Sequence, residues 1–277
     1  MSEDNNKQVT FAMQTFERIH PVEFQRRFLT QQTRHSGRSF SQFRAPLVVQ
    51  GTISTAQGSA TVRLGNTTMV CGIKATVCEP DVRRPTHGYL TTNVELSPMC
   101  SAHFRPGAPG EEAQVASEHI HRLVTSSVDL GSLCIEEDKV VWSLAADIVC
   151  LKYDGNALDA AIIALEAALR DLKLPLVEID QASGLVQVAE GEGKQLVLKR
   201  RLYPATFSLI DDQYLVADAD DSEEQMKTAE LLVVLDDAGR LANVWKRGAG
   251  VISQETIVRC VEAAAERMSE IVQATKA

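Results

Sequence analysis

The sequence predicts an α+β fold built as two sheet-plus-helix lobes, and three observations carry that reading. Residues 45–78 hold three β-rich runs, separated by turn residues at Ala56-Gln57-Gly58 and Leu64-Gly65-Asn66, the punctuation of an antiparallel meander. Ala157 to Leu172 is rich in Ala and Leu and apolar over most of a helical surface, which predicts a deeply buried helix. The order then repeats: two hairpins between Ala205 and Trp245 precede a last amphipathic helix, Gln254 to Thr275. A sheet with one apolar face needs a layer against it, and here each sheet is followed by a helix. The predicted organisation is an N-terminal arm with a short helix at 1–44, a first lobe at 45–180 and a second at 181–277, with a linker around 180–200.

Taken in order, Met1 to Thr15 is mostly polar and predicts no packed element. In Pro21 to Leu29, Phe24 and Phe28 stand four apart beside Val22 and Leu29, the spacing of a short amphipathic helix. A Ser/Gly-rich connector, Ser36 to Ser41, leads to the meander. The Pro- and Gly-marked excursion Glu79 to Gly88 is followed by a strand over Tyr89 to Leu96. A second loop, His103 to Gly110, ends at a helix that begins with Glu111 and Glu112, two anions suited to a helix N-terminus. Val115, Ala116, Ile120, Leu123, Val124 and Val128 line its predicted core face. Lys139 to Leu151 is too β-branched for a helix and reads as a long strand closed by Asp154-Gly155-Asn156. In the second lobe Asp211-Asp212 and Asp236 to Gly239 turn the two hairpins. The final helix should bury Ile257, Val261, Ala264, Met268 and Ile271.

Bulk composition excludes several classes. The net charge is −9, so the overall field does not grip nucleic acid, and any RNA contact must come from local basic loops or a partner. Six cysteines are scattered without a C-x-x-C pair. Cys71 and Cys150 lie in strand-like apolar runs and read as buried free thiols in a reducing, intracellular setting. No apolar run approaches the ~20 residues of a membrane span, and no signal peptide is expected. Neither a P-loop, a dinucleotide fingerprint nor a nucleophile elbow occurs. His119 and His121 are two apart on a helix and so point in different directions; they read as a solvated face rather than metal ligands. Asp218 to Glu224 lacks the glycine and closing glutamate of an EF-hand loop, and is expected to be an exposed turn opening a short helix.

Four strings together go beyond this generic reading: Arg38 to Arg44, the meander Gly51 to Lys74, Pro106-Gly-Ala-Pro-Gly-Glu-Glu-Ala-Gln-Val-Ala-Ser117, and Val188 to Ala217. They span nearly the whole chain from Phe16 onward and resemble the RNase PH family, most specifically the ring subunits of the eukaryotic RNA exosome core. Two sister ring positions stay open. The resemblance implies an RNase PH-like fold (ribosomal protein S5 domain 2-like) in each lobe. It also implies a non-catalytic place in a hexameric ring that threads single-stranded RNA and supports 3'-to-5' RNA processing and decay, including ribosomal RNA maturation. The implied partners are other RNase PH-like subunits, with ribosomal RNA-processing protein 46 as pair partner, and S1/KH cap proteins. The implied locations are nucleus, nucleolus and cytoplasm. No cofactor or metal is expected.

The alternative is an active phosphate-dependent 3'-to-5' exoribonuclease, and it can be weighed residue by residue. Phosphorolysis needs donors for inorganic phosphate, arginines for the RNA backbone, and carboxylates that hold magnesium or protonate the leaving oxygen. Active family members present hydroxyls at a helix N-terminus after the long strand; here the matching turn is Gly155-Asn156-Ala157-Leu158, where Asn156 reads as an N-cap and Asp159 adds a repelling charge. Where they carry arginines, this chain has Glu111 and Glu112. Where they place a carboxylate before the first strand of the second lobe, it has Leu202; Glu190 and Glu192 lie upstream in a Gly-rich loop. All three elements are degenerate. Arg83, Arg84 and Arg105, on the two long loops of the first lobe, are the candidate RNA-binding residues, through sequence-independent phosphate contacts.

Overall fold

The computed structural model describes residues 15–16, 18–179, 186–188 and 193–276. The polar start of the arm, Glu190 and Glu192 lie outside them. Helix α1 (Pro21–Thr30) buries Phe24 and Leu29 and precedes the first sheet. That sheet comprises β1 (Pro46–Gln50), β2 (Gly58–Leu64), β3 (Thr67–Cys78), β4 (Tyr89–Glu95), β5 (Cys134–Glu136) and β6 (Val140–Lys152), in the order β1-β2-β3-β6-β4 with β5 on β6. The meander is antiparallel as the turn residues require, with Cys71 of β3 opposite both Ala60 and Ile148. β4 runs parallel to β6, because the chain between them crosses over through helix α2 (Glu111–Thr125). The short β5 is too brief for its sequence to announce.

Helix α3 (Ala157–Asp171) covers this sheet and is buried from Asp159 to Leu169. Short ladders follow: β7 (Lys173–Leu174) with β10 (Lys194–Gln195), and β8 (Val177–Ile179) with β9 (Val186–Val188). The second sheet has the order β12-β11-β13-β14, from β11 (Leu202–Ile210), β12 (Tyr214–Ala217), β13 (Lys227–Asp236) and β14 (Leu241–Gly248). All nine residues of β11 are buried. One face of β11 meets α3, where Thr206 hydrogen-bonds Asp159; the other face, with Ala205 and Phe207, packs with Cys260 and Ala264 of helix α5 (Gln254–Lys276). α3 therefore serves both sheets, and the principal core runs from Ala60 to Ile271 across the two lobes.

Two predicted core faces shift by part of a turn. On α2, Ala113 is buried while Val115 and Ala116 are half-buried, because the second sheet also leans on this helix. On α5, Cys260 and Arg267 are buried with Ala264 and Ile271, whereas Ile257, Val261 and Met268 are half-buried. Arg267 can sit there because its guanidinium stacks over Phe43 at 5.1 Å and reaches Glu270 at 2.6 Å. Cys71 and Cys150 are buried free thiols, and burial pushes Cys71 up to about 12.

Candidate functional site

The site to be judged is the N-terminus of α3, where the long strand β6 ends and the two lobes meet. The turn that opens it is sterically specified. Gly155 has φ +74°, and a Cβ there would lie 2.5 Å from the Ala219 carbonyl oxygen, so only glycine fits. Asn156 is in the left-handed region (φ 51°) and caps the helix, its side-chain oxygen accepting from the Asp159 amide at 3.4 Å.

The Asn156 donors and the Tyr153 hydroxyl at this helix end are already engaged by the chain's own carboxylates. The Asn156 amide donates to Glu224 at 2.9 Å, and the Tyr153 hydroxyl donates to the other oxygen of the same carboxylate. Asn156 Nδ2 donates to Asp159 at 3.0 Å and to Asp218 at 2.6 Å. Asp159 in turn accepts from the Thr206 amide at 3.0 Å and hydroxyl at 2.6 Å. A helix N-terminus welcomes one anion; here Asp159, Asp218 and Glu224 fill its surroundings. With their oxygens committed to protein donors, these carboxylates are a poor fit for a magnesium ion.

Glu224 and Asp218 come from the acidic turn, and this corrects the expectation of an exposed one. Asp218 and Glu223 are 0% and 1% exposed. Helix α4 (Asp221–Glu224) opens with a capping box between Asp220 and Glu223. The arm supplies the countercharge: Arg34 forks onto Glu223 at 2.8 and 2.5 Å and donates to the Ala217 and Asp218 carbonyls. Arg44 holds Asp218 at 2.8 and 2.7 Å and donates to the Asp154 carbonyl at 2.8 Å, while Arg38 adds a contact at 3.2 Å. A buried charge needs such a partner, and the partner lies about 180 residues away in sequence.

These contacts set the charges. Burial pushes Asp218 upward, but the hydrogen bond and charge of Arg44, with Asn156, bring it down to about 2. Among the described residues Asp159 forms no ion pair, and burial pushes it up to about 6 despite Thr206 and Asn156. Burial raises Glu224, opposed by Lys227 and Tyr153.

Beside the helix end is a cleft of about 60 Å³ whose lining includes Glu112, Ala157, Leu158, Glu224, Glu230 and Trp245. Glu111 and Glu112 are exposed at the start of α2. The structure thus gathers Glu112, Asn156, Ala157 and Leu158, but not Leu202. That residue lies 2% exposed near Glu166, toward the other half of α3, since β11 meets the helix end at Thr206 instead. His119 is not solvated: its ring stacks on Trp245 of β14 with centroids 4.2 Å apart, and burial, with Arg122, lowers its pKa. Among the described residues no group of three or more His, Cys, Asp or Glu could hold a metal. The three arginines are exposed but divided. Arg83 and Arg84 line a cleft of about 360 Å³ with His87, Tyr89 and His121, whereas Arg105 lines one of about 790 Å³ under the His103 to Gly110 loop. The residues that sequence reasoning missed are Arg34, Arg44, Tyr153 and Thr206. Only the first two left a signal, as cations in an arm whose partner acids were visible downstream.

The "3' exoribonuclease family, domain 1" matches residues 42–175 and "domain 2" matches residues 204–267. The chain belongs to the RNase PH 3' exoribonuclease family. It is 39% identical to the exosome complex component rrp43 of Schizosaccharomyces pombe, over 93% of this chain and 96% of that protein. To the exosome complex component Rrp42 of Methanothermobacter thermautotrophicus it is 34% identical, over 87% and 88%. Among solved structures it resembles the Archaeoglobus fulgidus exosome with RNA bound to the active site, at TM-score 0.80 and 27% identity over 91% of this chain and 96% of that one. An archaeal exosome core gives TM-score 0.78 at 25% identity, over 92% and 96%.

Proposed function

We propose that this chain is a non-catalytic structural subunit of the hexameric RNase PH-like ring of the RNA exosome, at the rrp43-type position. Its likeness to exosome components over almost its full length supports the ring. The occupied end of α3 supports the lack of catalysis. An incoming phosphate would meet Glu224 on the Asn156 amide, Asp159 and Asp218 behind it, and Glu112 across the cleft. Each anion adds repulsion where a phosphorolytic site needs attraction. The neighbours in this reading are other RNase PH-like subunits, with ribosomal RNA-processing protein 46 as pair partner, and S1/KH cap proteins. The locations are nucleus, nucleolus and cytoplasm.

Two experiments test it. Gentle affinity purification of the tagged chain should recover a stoichiometric assembly containing other RNase PH-like proteins; recovery of the chain alone or as a homo-hexamer would refute the ring. End-labelled RNA incubated with that assembly, magnesium and phosphate should release no nucleoside diphosphate attributable to this subunit. Release abolished by Glu190→Ala or Glu192→Ala would establish the phosphorolytic alternative. Within the ring, Arg83, Arg84 and Arg105 contribute phosphate contacts from two separate loops. Replacing all three with Ala should weaken RNA protection and leave assembly intact, and unchanged protection would remove them from the RNA path.

A further inference from the structure

Charge in this chain is unevenly spread. Against a net charge of −9, the segment 193–201 carries Lys194, Lys199, Arg200 and Arg201 and no acid. Its backbone is pinned: the Leu196 amide donates to the Leu172 carbonyl at 3.4 Å, the Lys199 amide to Ser127 at 2.8 Å, and Leu198 bridges to Val128. Leu196 and Leu202 are buried, while Val197 (69% exposed), Lys199 and Arg201 face solvent. Alongside lie exposed Lys173 and Lys194 on the β7–β10 ladder, and Arg170 near the end of α3. Lys199 pairs with Asp129 at 3.0 Å. Among the described residues Lys173, Lys194 and Arg201 form no ion pair.

We propose that this face docks an extended acidic segment of another protein. An aliphatic side chain of that segment rests on Val197, and carboxylates two and four residues along meet Lys199 and Arg201. Charge complementarity selects an anionic partner, and the patch selects polypeptide over RNA. Its centre is aliphatic, and its aromatic ring, Tyr203, is 8% exposed. Single-stranded RNA sites combine their cations with aromatic platforms on which bases stack, and none is presented here. The proposal stands whether or not the chain occupies a ring.

The test uses the full-length chain and two fluorescent probes of similar charge: an amidated peptide of sequence GSVTETETG, kept extended by its threonines, and a short oligouridylate. Anisotropy should show saturable, salt-weakened binding of the peptide and none of the RNA under the same conditions. Lys194→Glu combined with Arg201→Glu should weaken peptide binding by about tenfold or more, as loss and reversal of exposed charge pairs would give. Val197→Ser should weaken it with charge unchanged. Melting temperatures verify that each variant is folded; if the double variant is not, Val197→Ser decides alone. No saturable peptide binding, binding undiminished in Val197→Ser, or RNA binding as tight as peptide binding would each overturn the proposal.

Discussion

Glu166 is 7% exposed on α3, and among the described residues it forms no ion pair. Burial pushes this carboxyl up to about 8, with the Leu202 backbone, Arg201 and Arg170 opposing only in part. Between about pH 4.5 and pH 8 the folded chain therefore holds a proton that the unfolded chain has released. Stability falls as pH rises through that window, by about 1.4 kcal/mol per unit at most. Glu166→Gln should raise the melting temperature at pH 9 and change it little at pH 5; equal effects at both would show that the charge is not the cause. Asp218 has the opposite sign. Lowered to about 2, it contributes stability above its unfolded value that is lost as pH falls from about 4 to 2. Asp218→Asn strands Arg44 and should cost about 3–5 kcal/mol in urea unfolding.

At the scale of elements, the lobes are joined by contacts that no single segment reveals. Gly155 abuts the acidic turn, so Gly155→Ala should separate the start of α3 from α4 and lose about 2 kcal/mol or more, read from denaturant midpoints. The stack of His119 on Trp245 ties α2 to β14. With its pKa lowered by burial, His119 stabilises the fold when neutral, and that contribution is lost as pH falls below its ordinary value. Trp245 emission should change over that range, and His119→Phe should keep the stack and abolish the change. An unaltered profile in that variant would mean the histidine is not the titrating group. Strands and helices were legible in sequence because their periods are local; Ala113, Arg267 and β5 were not, because neighbours from elsewhere in the chain decide their burial or pairing.

For the whole molecule, the arm is part of the second lobe's structure. Arg26 forks onto Asp211 at 2.8 Å, and Arg34 and Arg44 neutralise the buried acids of the 218–224 turn. Removing residues 1–44 should leave those acids unpaired, and the truncated chain should melt far below the full one. Equal melting would mean that the arm only lies on the surface. The candidate site shows the same division. Its local parts, the Asn156 cap and the glutamates at the start of α2, were readable in sequence. Leu202 was grouped with them by resemblance, but the strand carries it four residues past the helix end.

The sequence by itself determined the two-lobed α+β plan, the meander, the buried α3 and the family resemblance. All of these rest on short-range periodicity, turn chemistry and contiguous strings. Only the tertiary structure decided that the acidic turn is interior, that β4 runs parallel to β6, and that the end of α3 is filled by Glu224 and Asp218. Each of those outcomes depends on which distant groups share one low-dielectric space. Burial and countercharge are properties of that shared space, and the linear order of residues does not contain them.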